Sequence, residues 1–548
     1  MTATSTAHTH EVTNQPPPLD GFDPLACDPA LGDAMARHGG SSALPALGEL
    51  ARLAGSAAAR EHGRLADTNP PALRTHDRYG HRIDEVDFHP SWHWLMSRAI
   101  EHGLNAAPWG HDPGPAPHLV RAAGFYLWSQ VEAGHGCPLS MTYASIPALR
   151  RAPELAAVWE PGLCSRAYDP ALREPSTKGG LLAGMSMTEK QGGSDVRTNT
   201  TSATPAGDGS YALTGHKWFT SAPSSDVFLT LAQAPGGLTC FALPRVLPDG
   251  SRNAIRLQRL KDKLGNRANA SAEIEYDGAL RWPVGDAGRG VATIIEMVSM
   301  TRLDCVVGSA STIRAALSEA AHHVAHRHAF GTRLADAPAM AAVVADLAIE
   351  SEAATALSMR LAAAVDGAAD DRERALLRLA LPAGKYFVCK RTPAVVAEAL
   401  ECLGGNGFVE ESGMPRLYRE APLNSIWEGS GNVTALDLLR ALSRDPSLAD
   451  VLLGELEATA GAHAALDATV SRLRSELADP APERARRLAE LVALTLQGSQ
   501  LLRHAPHSVA ETFLASRLGG DGTGRTLGAL PRGTDTAALV DRVTPRTG

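Results

Sequence analysis

The sequence of 548 residues is poor in lysine and lacks the cysteine spacing of a metal or redox site. Its seven cysteines are scattered, and none forms the Cys-x-x-Cys pair that zinc ribbons and thiol oxidoreductases use. No stretch of about 18 uninterrupted apolar residues is present, so we expect no membrane-spanning helix. The first twenty residues contain neither Lys nor Arg and no apolar segment, unlike a secretory leader. These absences predict a cytoplasmic protein with reduced, mostly buried thiols.

The charge balance gives no general reason to bind a polyanion. The formal net charge is −8, so the molecule as a whole attracts neither nucleic acid nor an anionic membrane. Hydrophobic residues make up 44% and charged residues 20% of the chain, which is typical of a folded protein. A chain of this length exceeds a single hydrophobic core, so we expect several domains and room to bury a large cofactor.

Changes in residue pattern along the chain predict an α+β multidomain protein. Residues 1–29 lack periodic apolar positions and are expected to form a flexible arm. Helical spacing over 30–180 predicts an N-terminal helical domain, and short β-type runs such as YALTGHKWFT predict a β-barrel or sandwich over 181–290. Helical spacing returns over 291–445, which predicts a bundle, and an appended helical domain follows over 446–548.

The stretch GMSMTEKQGGSDVRTNTT, residues 184–201, is polar and rich in hydroxyl groups and glycine. It lies where the helical pattern gives way to strands. Thr188, Gly192, Gly193 and Ser194 would let backbone N–H groups come close to a flat heterocycle and a phosphate. The same residues also suit an ordinary surface turn, so the stretch alone does not decide between the two interpretations.

Four further stretches have a similar double interpretation. GHKWFTSA places Trp218 and Thr220 at the end of a predicted strand, either as core packing or as an aromatic ring beside a hydroxyl donor. HRHAFGTRL places Arg327 at a helix end, where a guanidinium either grips a phosphate or favours the helix C-terminus. ALECLGGNGF and NSIWEGSGNVTALDLLRAL contribute a glycine turn at 404–407 and a carboxylate, Glu428, before small residues that open a helix.

In this order, the five stretches resemble the acyl-CoA dehydrogenase superfamily. MTEKQGGSD, IWEGSGN and the additional C-terminal domain are most similar to its AidB branch of DNA alkylation-response flavoproteins. The resemblance implies an N-terminal helical domain, a central β-barrel or sandwich, a C-terminal four-helix bundle and FAD between the last two. It also implies a homotetramer, a dimer of dimers, in which Arg327 and Phe330 reach the ADP half of FAD in a neighbouring subunit. The FAD contacts that it implies are Met185, Met187, Thr188, Gly193, Ser194, Trp218, Phe219, Thr220, Arg327, Phe330, Gly404, Gly405, Ile426, Trp427, Gly429, Ser430, Gly431 and Asn432.

The same resemblance assigns a catalytic base. Dehydrogenation of an acyl thioester needs a carboxylate that removes the α-proton. In most of the family this base lies in the loop that matches residues 426–432, which gives Glu428 here, and in a smaller group it lies at the position of Thr301, whose hydroxyl cannot serve. A structural role for Glu428, as an acceptor of backbone N–H groups, stays open. Asn432 and Arg440, one and three turns along the next helix, would bind a polar substrate group or neutralise Glu428.

The appended domain has no charge excess for double-stranded DNA, the partner that the AidB resemblance associates with it. Residues 441–548 contain 12 Arg, no Lys and 13 acidic residues. Nearby glutamates favour intrahelical charge pairs, and no aromatic residues interleave the arginines for stacking on single strands. DNA therefore stays an alternative partner that the local charge does not support, with one candidate patch made of Arg472, Arg474, Arg484, Arg486 and Arg487.

A histidine cluster precedes the predicted phosphate-binding arginine. It contains an i, i+4 pair, but no cysteine or acidic pattern accompanies it, so we predict a polar helix face and no metal site. The members are His322, His323, His326 and His328.

Three hypotheses of function follow from these observations. The first is an FAD-dependent, AidB-like alkylation-response flavoprotein with weak α,β-dehydrogenation of a short or branched acyl-CoA. The second is a flavin dehydrogenase that acts on a small amine, hydrazine or acid in specialised metabolism. The third is a non-catalytic DNA-binding or scaffold protein in which FAD is structural. Flavin reduction by acyl-CoA, and its loss in Glu428→Gln, would separate them.

Overall fold

The computed structural model describes residues 9–520, 524 and 526–546. The N-terminal region is helical, with α1 to α7 at Pro29–Arg37, Leu44–Ala54, Ala57–Thr68, Pro90–Glu101, Pro117–Ser129, Gly136–Leu149 and Pro153–Leu163. A hairpin that the sequence pattern did not predict interrupts them, with β1 at Ala72–His76 and β2 at Arg82–Asp87. Its strands are too short and too charged to show apolar alternation. Arg245 holds the hairpin against the β domain by donating to the Asp84 carbonyl (2.6 Å).

The central region consists of short strands. They are β3 to β9, at Ala183–Ser186, Ser202–Gly207, Ser210–Ser221, Val227–Ala234, Gly237–Pro244, Ile255–Leu260 and Ser271–Val284. β3, β5, β9, β7 and β6 pair in a closed ring, and β4 and β8 pair onto β5 and β9. In this ring Ser186 of β3 lies opposite both Thr220 and Thr230. The loop that leaves β3 therefore starts beside the end of β5.

The C-terminal half is again helical. α8 to α12 lie at Gly290–His326, Pro338–Asp366, Asp371–Cys402, Met414–Glu420 and Gly431–Arg444, and a short β10–β11 hairpin, His328–Ala329 and Thr332–Arg333, follows α8. α8, α9, α10 and α12 pack together as a bundle. The buried residues of α12 include Thr434, Leu438 and Ala441, at helical spacing, so this face holds the helix in the bundle.

The appended helices continue the core of the bundle. α13 to α17 lie at Leu448–Leu456, Ala464–Ala478, Ala485–His504, His507–Phe513 and Thr536–Val543. α15 packs against α9, α10 and α12, and α17 packs against α9. One hydrophobic cluster extends from Leu31 of α1 to Val543 of α17. Within the described residues, no helix is long and apolar enough to cross a membrane.

Candidate active site

The polar loop after β3 is organised around a buried carboxylate. Glu189 is fully buried and accepts hydrogen bonds from the Thr200 N–H (2.7 Å), the Thr201 hydroxyl (2.6 Å) and the Lys217 ammonium (2.8 Å). These bonds, with the buried Lys217 charge, hold the pKa of Glu189 well below its ordinary value although burial opposes them. The loop is therefore fixed by one ion pair at its base, and its hydroxyl and glycine tip is exposed.

Gly193 shows that the backbone of this loop is closely packed. A Cβ at this position would overlap the hydroxyl of Thr188. Met185, Met187 and Thr188 are half-buried, whereas Gly193 and Ser194 are exposed. The loop thus presents hydroxyl groups and backbone amides at its surface, and position 193 has no room for a side chain unless Thr188 moves.

The end of β5 lies against the same loop. The backbone N–H of Trp218 donates to the Thr188 carbonyl (2.8 Å), and the hydroxyl of the buried Thr220 hydrogen-bonds to the hydroxyl of Ser186 (2.5 Å). Trp218 is half-buried and Phe219 is 46% exposed. The predicted flavin contacts Met185, Met187, Thr188 and 218–220 therefore lie side by side, with Thr220 buried and Phe219 exposed. The isoalloxazine ring of FAD is planar and has hydrogen-bonding edges. It fits this arrangement, because the half-exposed aromatic rings can stack on its face and the backbone amides beside the glycines can bond its edges.

Glu428 lies in a loop whose carbonyl groups are held by two buried cations. The Lys385 ammonium donates to the carbonyls of Trp427 (2.8 Å) and Gly429, and the Arg302 guanidinium donates to the carbonyl of Glu428 (3.0 Å). Arg302 also pairs with the carboxylate of Asp437 on α12 (2.7 Å). Three successive carbonyls are thus fixed while Glu428 adopts φ = 57°, in the left-handed region that non-glycine residues rarely occupy.

The side chain of Glu428 is held by the residue at the alternative base position. Thr301 of α8 donates its hydroxyl hydrogen bond to Glu428 Oε2 (2.6 Å). Burial raises the pKa of Glu428 above its ordinary value, and the Thr301 hydrogen bond and the charges of Lys385 and Arg302 oppose this rise. A carboxyl with a raised pKa in a defined position is typical of a general base, although structural pairs also perturb pKa values.

Apolar packing joins the Glu428 loop to the polar loop. Trp427, Met185, Met187 and Met300 all pack, partly buried, against one hydrophobic cluster that includes Cys137 and Met297. The Trp427 indole N–H donates to Asn424 (2.8 Å), which fixes the ring. Among the neighbouring residues, Ile426 and Ser430 are exposed and Gly431 is buried. The Glu428 loop and the polar loop therefore pack on one hydrophobic cluster, which includes residues of the β domain and of α8.

The residues predicted to reach the ADP half of FAD form a second group. Arg327 follows α8 directly, and Phe330 lies fully exposed at the tip of the β10–β11 hairpin with φ = 51°. Gly404 and Gly405 are exposed at the end of α10. Within the described residues, no polar contact joins this group to the Glu428 loop.

The structure places Arg302 and Lys385, rather than Arg440, beside Glu428. Arg440 is exposed on α12 and has no polar partner within the described part of the chain, and Asn432 is exposed and accepts from Arg486 (2.7 Å). Sequence reasoning missed Arg302 and Lys385, together with Glu189 and Lys217. The TRL and MTEK stretches offered a signal for Arg302 and Glu189, because each puts a charge beside a predicted site residue. Lys385 had none, because it lies in the middle of α10.

The candidate DNA patch has mostly local contacts. Arg484 pairs with Glu476 and Asp479, Arg487 pairs with Glu476, and Arg472 donates to Thr469. Arg474 is exposed, with no polar partner among the described residues.

His322 likewise has a structural contact. Its Nε2 lies 2.8 Å from the Pro17 carbonyl, within hydrogen-bonding distance. Across residues 9–520, 524 and 526–546, no three His, Cys, Asp or Glu side chains are grouped closely enough to hold a metal ion.

Three family models match successive parts of the chain. They describe the "Adaptive response protein AidB N-terminal domain" at residues 14–170, the "Acyl-CoA dehydrogenase, middle domain" at 184–279 and the "Acyl-CoA dehydrogenase, C-terminal domain" at 288–443. The matches follow the order of the helical, β and bundle regions.

Relatives match over most of the chain. The chain is 46% identical to "Putative acyl-CoA dehydrogenase AidB" of Escherichia coli (strain K12), over 92% of this chain and 94% of that protein. It is 33% identical to "Acyl-CoA dehydrogenase family member 11" of Caenorhabditis elegans, over 70% of this chain and 64% of that protein. The crystal structure of C. elegans ACDH-11 in complex with C11-CoA superposes with a TM-score of 0.84 at 28% identity, covering 94% of this chain and 93% of that one. The chain therefore belongs to the AidB-like branch of the acyl-CoA dehydrogenase family and is an FAD-dependent flavoprotein oxidoreductase.

Proposed function

We propose that the protein removes hydrogen from Cα and Cβ of a short or branched acyl-CoA, with Glu428 as the base. The observation that carries the proposal is the fixed Glu428 loop, whose Trp427 packs on the same hydrophobic cluster as Met185 and Met187. The C. elegans relative that binds C11-CoA supports an acyl-CoA as the substrate class. FAD, when bound, supplies the acceptor for the hydride that leaves Cβ.

In the proposed step, a Glu428 carboxylate oxygen takes the α-proton of the thioester. The C–H electron pair at Cα becomes the π bond, and the hydride leaves Cβ with its own electron pair, so the product is the α,β-unsaturated (enoyl) thioester. Thr301 and the carbonyl contacts of Lys385 and Arg302 keep the carboxylate in one position during this transfer. Met187, Thr188, Gly193, Ser194 and Trp218 to Thr220 would hold the flavin.

Anaerobic flavin absorbance tests the proposal. Butyryl-CoA or isovaleryl-CoA should bleach the flavin of the wild-type protein, and Glu428→Gln should retain flavin but lose the bleaching. Glu411→Gln serves as a matched control, because Glu411 is exposed and no polar contact among the described residues joins it to the Glu428 loop. A wild-type flavin that every acyl-CoA leaves oxidised would contradict an acyl-CoA substrate and favour a small amine, hydrazine or acid.

We also propose that the protein assembles as a homotetramer. Phe330 is fully exposed and Phe408 is 82% exposed. Asn14 and Gln15 contact the two segments that carry them, so both phenylalanines are available for a subunit contact. Arg327 and Phe330 would then complete the FAD site of a neighbouring subunit. Sedimentation should give a tetramer, and Phe330→Asp should shift it to smaller species and weaken FAD binding; a wild-type monomer would contradict this assembly.

Duplex DNA, the partner of the alkylation-response role that the resemblance implies, stays an untested alternative. The local partners of Arg484 and Arg487 do not favour it, so we expect no salt-dependent duplex binding at about 50 mM salt. If binding is found and this face contacts phosphate, Arg474→Gln should make the negative slope of log Kobs against log salt shallower by about 0.9.

A further inference from the structure

The N-terminal arm is bound to the residue predicted to grip the diphosphate of FAD. The amide of Asn14 makes two hydrogen bonds to the backbone of His328, from Nδ2 to the carbonyl (2.8 Å) and from the His328 N–H to Oδ1 (2.8 Å). The backbone carbonyl of Asn14 accepts from the Arg327 guanidinium. One arm residue therefore fixes both the hairpin after α8 and the side chain of Arg327.

The same arm also reaches the glycine turn at the end of α10. Asn406 Nδ2 donates to Gln15 Oε1 (3.1 Å), and Pro17 contacts His322 through its carbonyl. Farther along, Leu19 and Phe22 are buried, which anchors the arm on the body of the protein. The arm thus bridges the Arg327 segment and the glycine turn, the two segments assigned to the ADP half of FAD.

The backbone of Asn14 is shaped for this contact. Its φ of 57° lies in the left-handed region, which asparagine tolerates better than most residues. This local turn lets the side chain pair with His328 while the carbonyl accepts from Arg327. A residue that disfavours the left-handed region would lose both sets of contacts together.

The charge of Arg327 is left available by these contacts. Within the described residues no carboxylate lies within 4.0 Å of its guanidinium, and its polar partner is the neutral Asn14 carbonyl. A guanidinium that is held in place but not neutralised can donate several hydrogen bonds to a diphosphate. The arm therefore orients this arginine without cancelling its charge.

We propose that residues 14–17 are a third element of the ADP-binding half-site, and that Asn14 is a positioning residue for Arg327. This inference rests on the proposed function, in which Arg327 contacts the ADP half of FAD. The arm acts through Arg327 on the affinity for the dinucleotide and leaves the recognition of the isoalloxazine ring to the β-domain surface.

A competition between FAD and FMN tests the proposal, because FMN lacks the AMP portion of FAD. Full-length holoprotein is equilibrated with FMN in excess, and the bound flavins are quantified after rapid desalting. Asn14→Ala should lower the preference for FAD over FMN by about tenfold, which corresponds to about 1.4 kcal/mol. Asn14→Gly keeps the left-handed backbone and the carbonyl but loses the two hydrogen bonds of the side-chain amide. Its preference for FAD over FMN should therefore fall less than that of Asn14→Ala. Arg327→Ala should lower the preference further.

Two variants serve as matched controls. Glu11→Ala changes an exposed arm residue, and Arg333→Ala removes a guanidinium of the same hairpin that pairs with Asp336. Both should keep the wild-type preference. If Asn14→Ala keeps it as well while Arg327→Ala does not, the role of the arm is overturned and the proposed cofactor site stands. An unchanged preference in Arg327→Ala would instead overturn the assignment of Arg327. Equal loss of both flavins in Asn14→Ala would mean general damage to the fold and would also overturn the inference.

Discussion

The Thr301 hydroxyl donates to Glu428 Oε2 at 2.6 Å, so the two positions that could supply a base are in direct contact. Because only Glu428 can ionise, Thr301 serves as its hydrogen-bond donor. In the proposed mechanism the hydroxyl stabilises the carboxylate before it accepts a proton, and it also sets the direction of its oxygen atoms.

Thr301→Val should move the pH dependence of flavin reduction to higher pH. The hydrogen bond lowers the pKa of Glu428, so its loss lets burial raise that pKa further. The base must be deprotonated, so the rate below the new pKa should fall while the limiting rate at high pH changes less. Stopped-flow reduction between pH 5 and 9 measures the shift, and Thr301→Ser should restore the wild-type profile. An unshifted profile in Thr301→Val would show that another group controls the rate.

Lys385→Met should release the Glu428 loop. The substitution keeps the length of the side chain but leaves the carbonyls of Trp427 and Gly429 without their donor. An unsatisfied buried carbonyl costs about 1–3 kcal/mol of unfolding free energy, so these two partly buried carbonyls together cost at most about 6 kcal/mol. Urea unfolding measures this loss, and flavin reduction should slow more than the stability change predicts.

Arg374, near the start of the same helix, offers a control for Lys385. It is exposed and pairs with Asp371, so Arg374→Met should leave both measurements near the wild-type values. If the two variants behave alike, the carbonyl contacts of Lys385 do not position the loop.

Lys217→Met should destabilise the polar loop and weaken flavin binding. It leaves the fully buried carboxylate of Glu189 without its counter-ion, which costs about 3–5 kcal/mol in a buried pair. Adding Glu189→Gln should recover part of the stability because the uncompensated charge disappears. Chemical denaturation of the two single variants and the double variant measures the coupling, and simple additivity would argue against a paired role.

The pH dependence of stability should also report Glu189. Its folded pKa is depressed, so its contribution is present above the ordinary carboxyl pKa and is lost as pH falls through the folded value. Acid unfolding of the wild-type protein should therefore be steeper than that of the double variant.

Glu420→Gln should have the opposite effect on the pH dependence of stability. The carboxylate of Glu420 accepts from the backbone N–H (2.5 Å) and the amide (3.0 Å) of Asn266, and burial, with the nearby Glu132, raises its pKa to about 7, while Lys263 opposes the rise. Its stabilising contribution is present below the ordinary value of 4.5 and is lost as pH rises through about 7. Unfolding free energies between pH 5 and 8 should fall less steeply in Glu420→Gln than in the wild type. Equal slopes in the two proteins would exclude Glu420 as the titrating group.

The sequence predicted those features that depend on local pattern. Strand β5 and the helical face of α8 follow from the strand-type run YALTGHKWFT and from 3.6-residue spacing, and the polar loop at 184–201 follows from its composition. The Glu428 loop was predicted from a resemblance, since a carboxylate before small residues that open a helix has many uses.

Contacts between distant segments could not be predicted in the same way. Lys385 lies in α10 and the carbonyls that it binds lie more than forty residues later, so only the packing of the bundle brings them together. Arg440 was chosen by its distance along α12, yet the helix is held by Leu438 and Ala441 and turns Arg440 outward. The arm was predicted to be flexible because it lacks periodic apolar positions. Its bonds to His328 span 314 residues of sequence, so no local pattern shows them.

The packing of α15 against α9, α10 and α12 has a consequence for how the chain can be divided. The last hundred residues cannot be treated as a detachable module, because their removal would leave the buried face of the bundle in contact with water. Limited proteolysis near residue 445 should yield fragments that stay associated under native conditions. The bundle and the C-terminal extension are therefore expected to unfold in one transition. A destabilising substitution on the buried face of the extension would then lower the amount of folded protein, and flavin binding would fall with it.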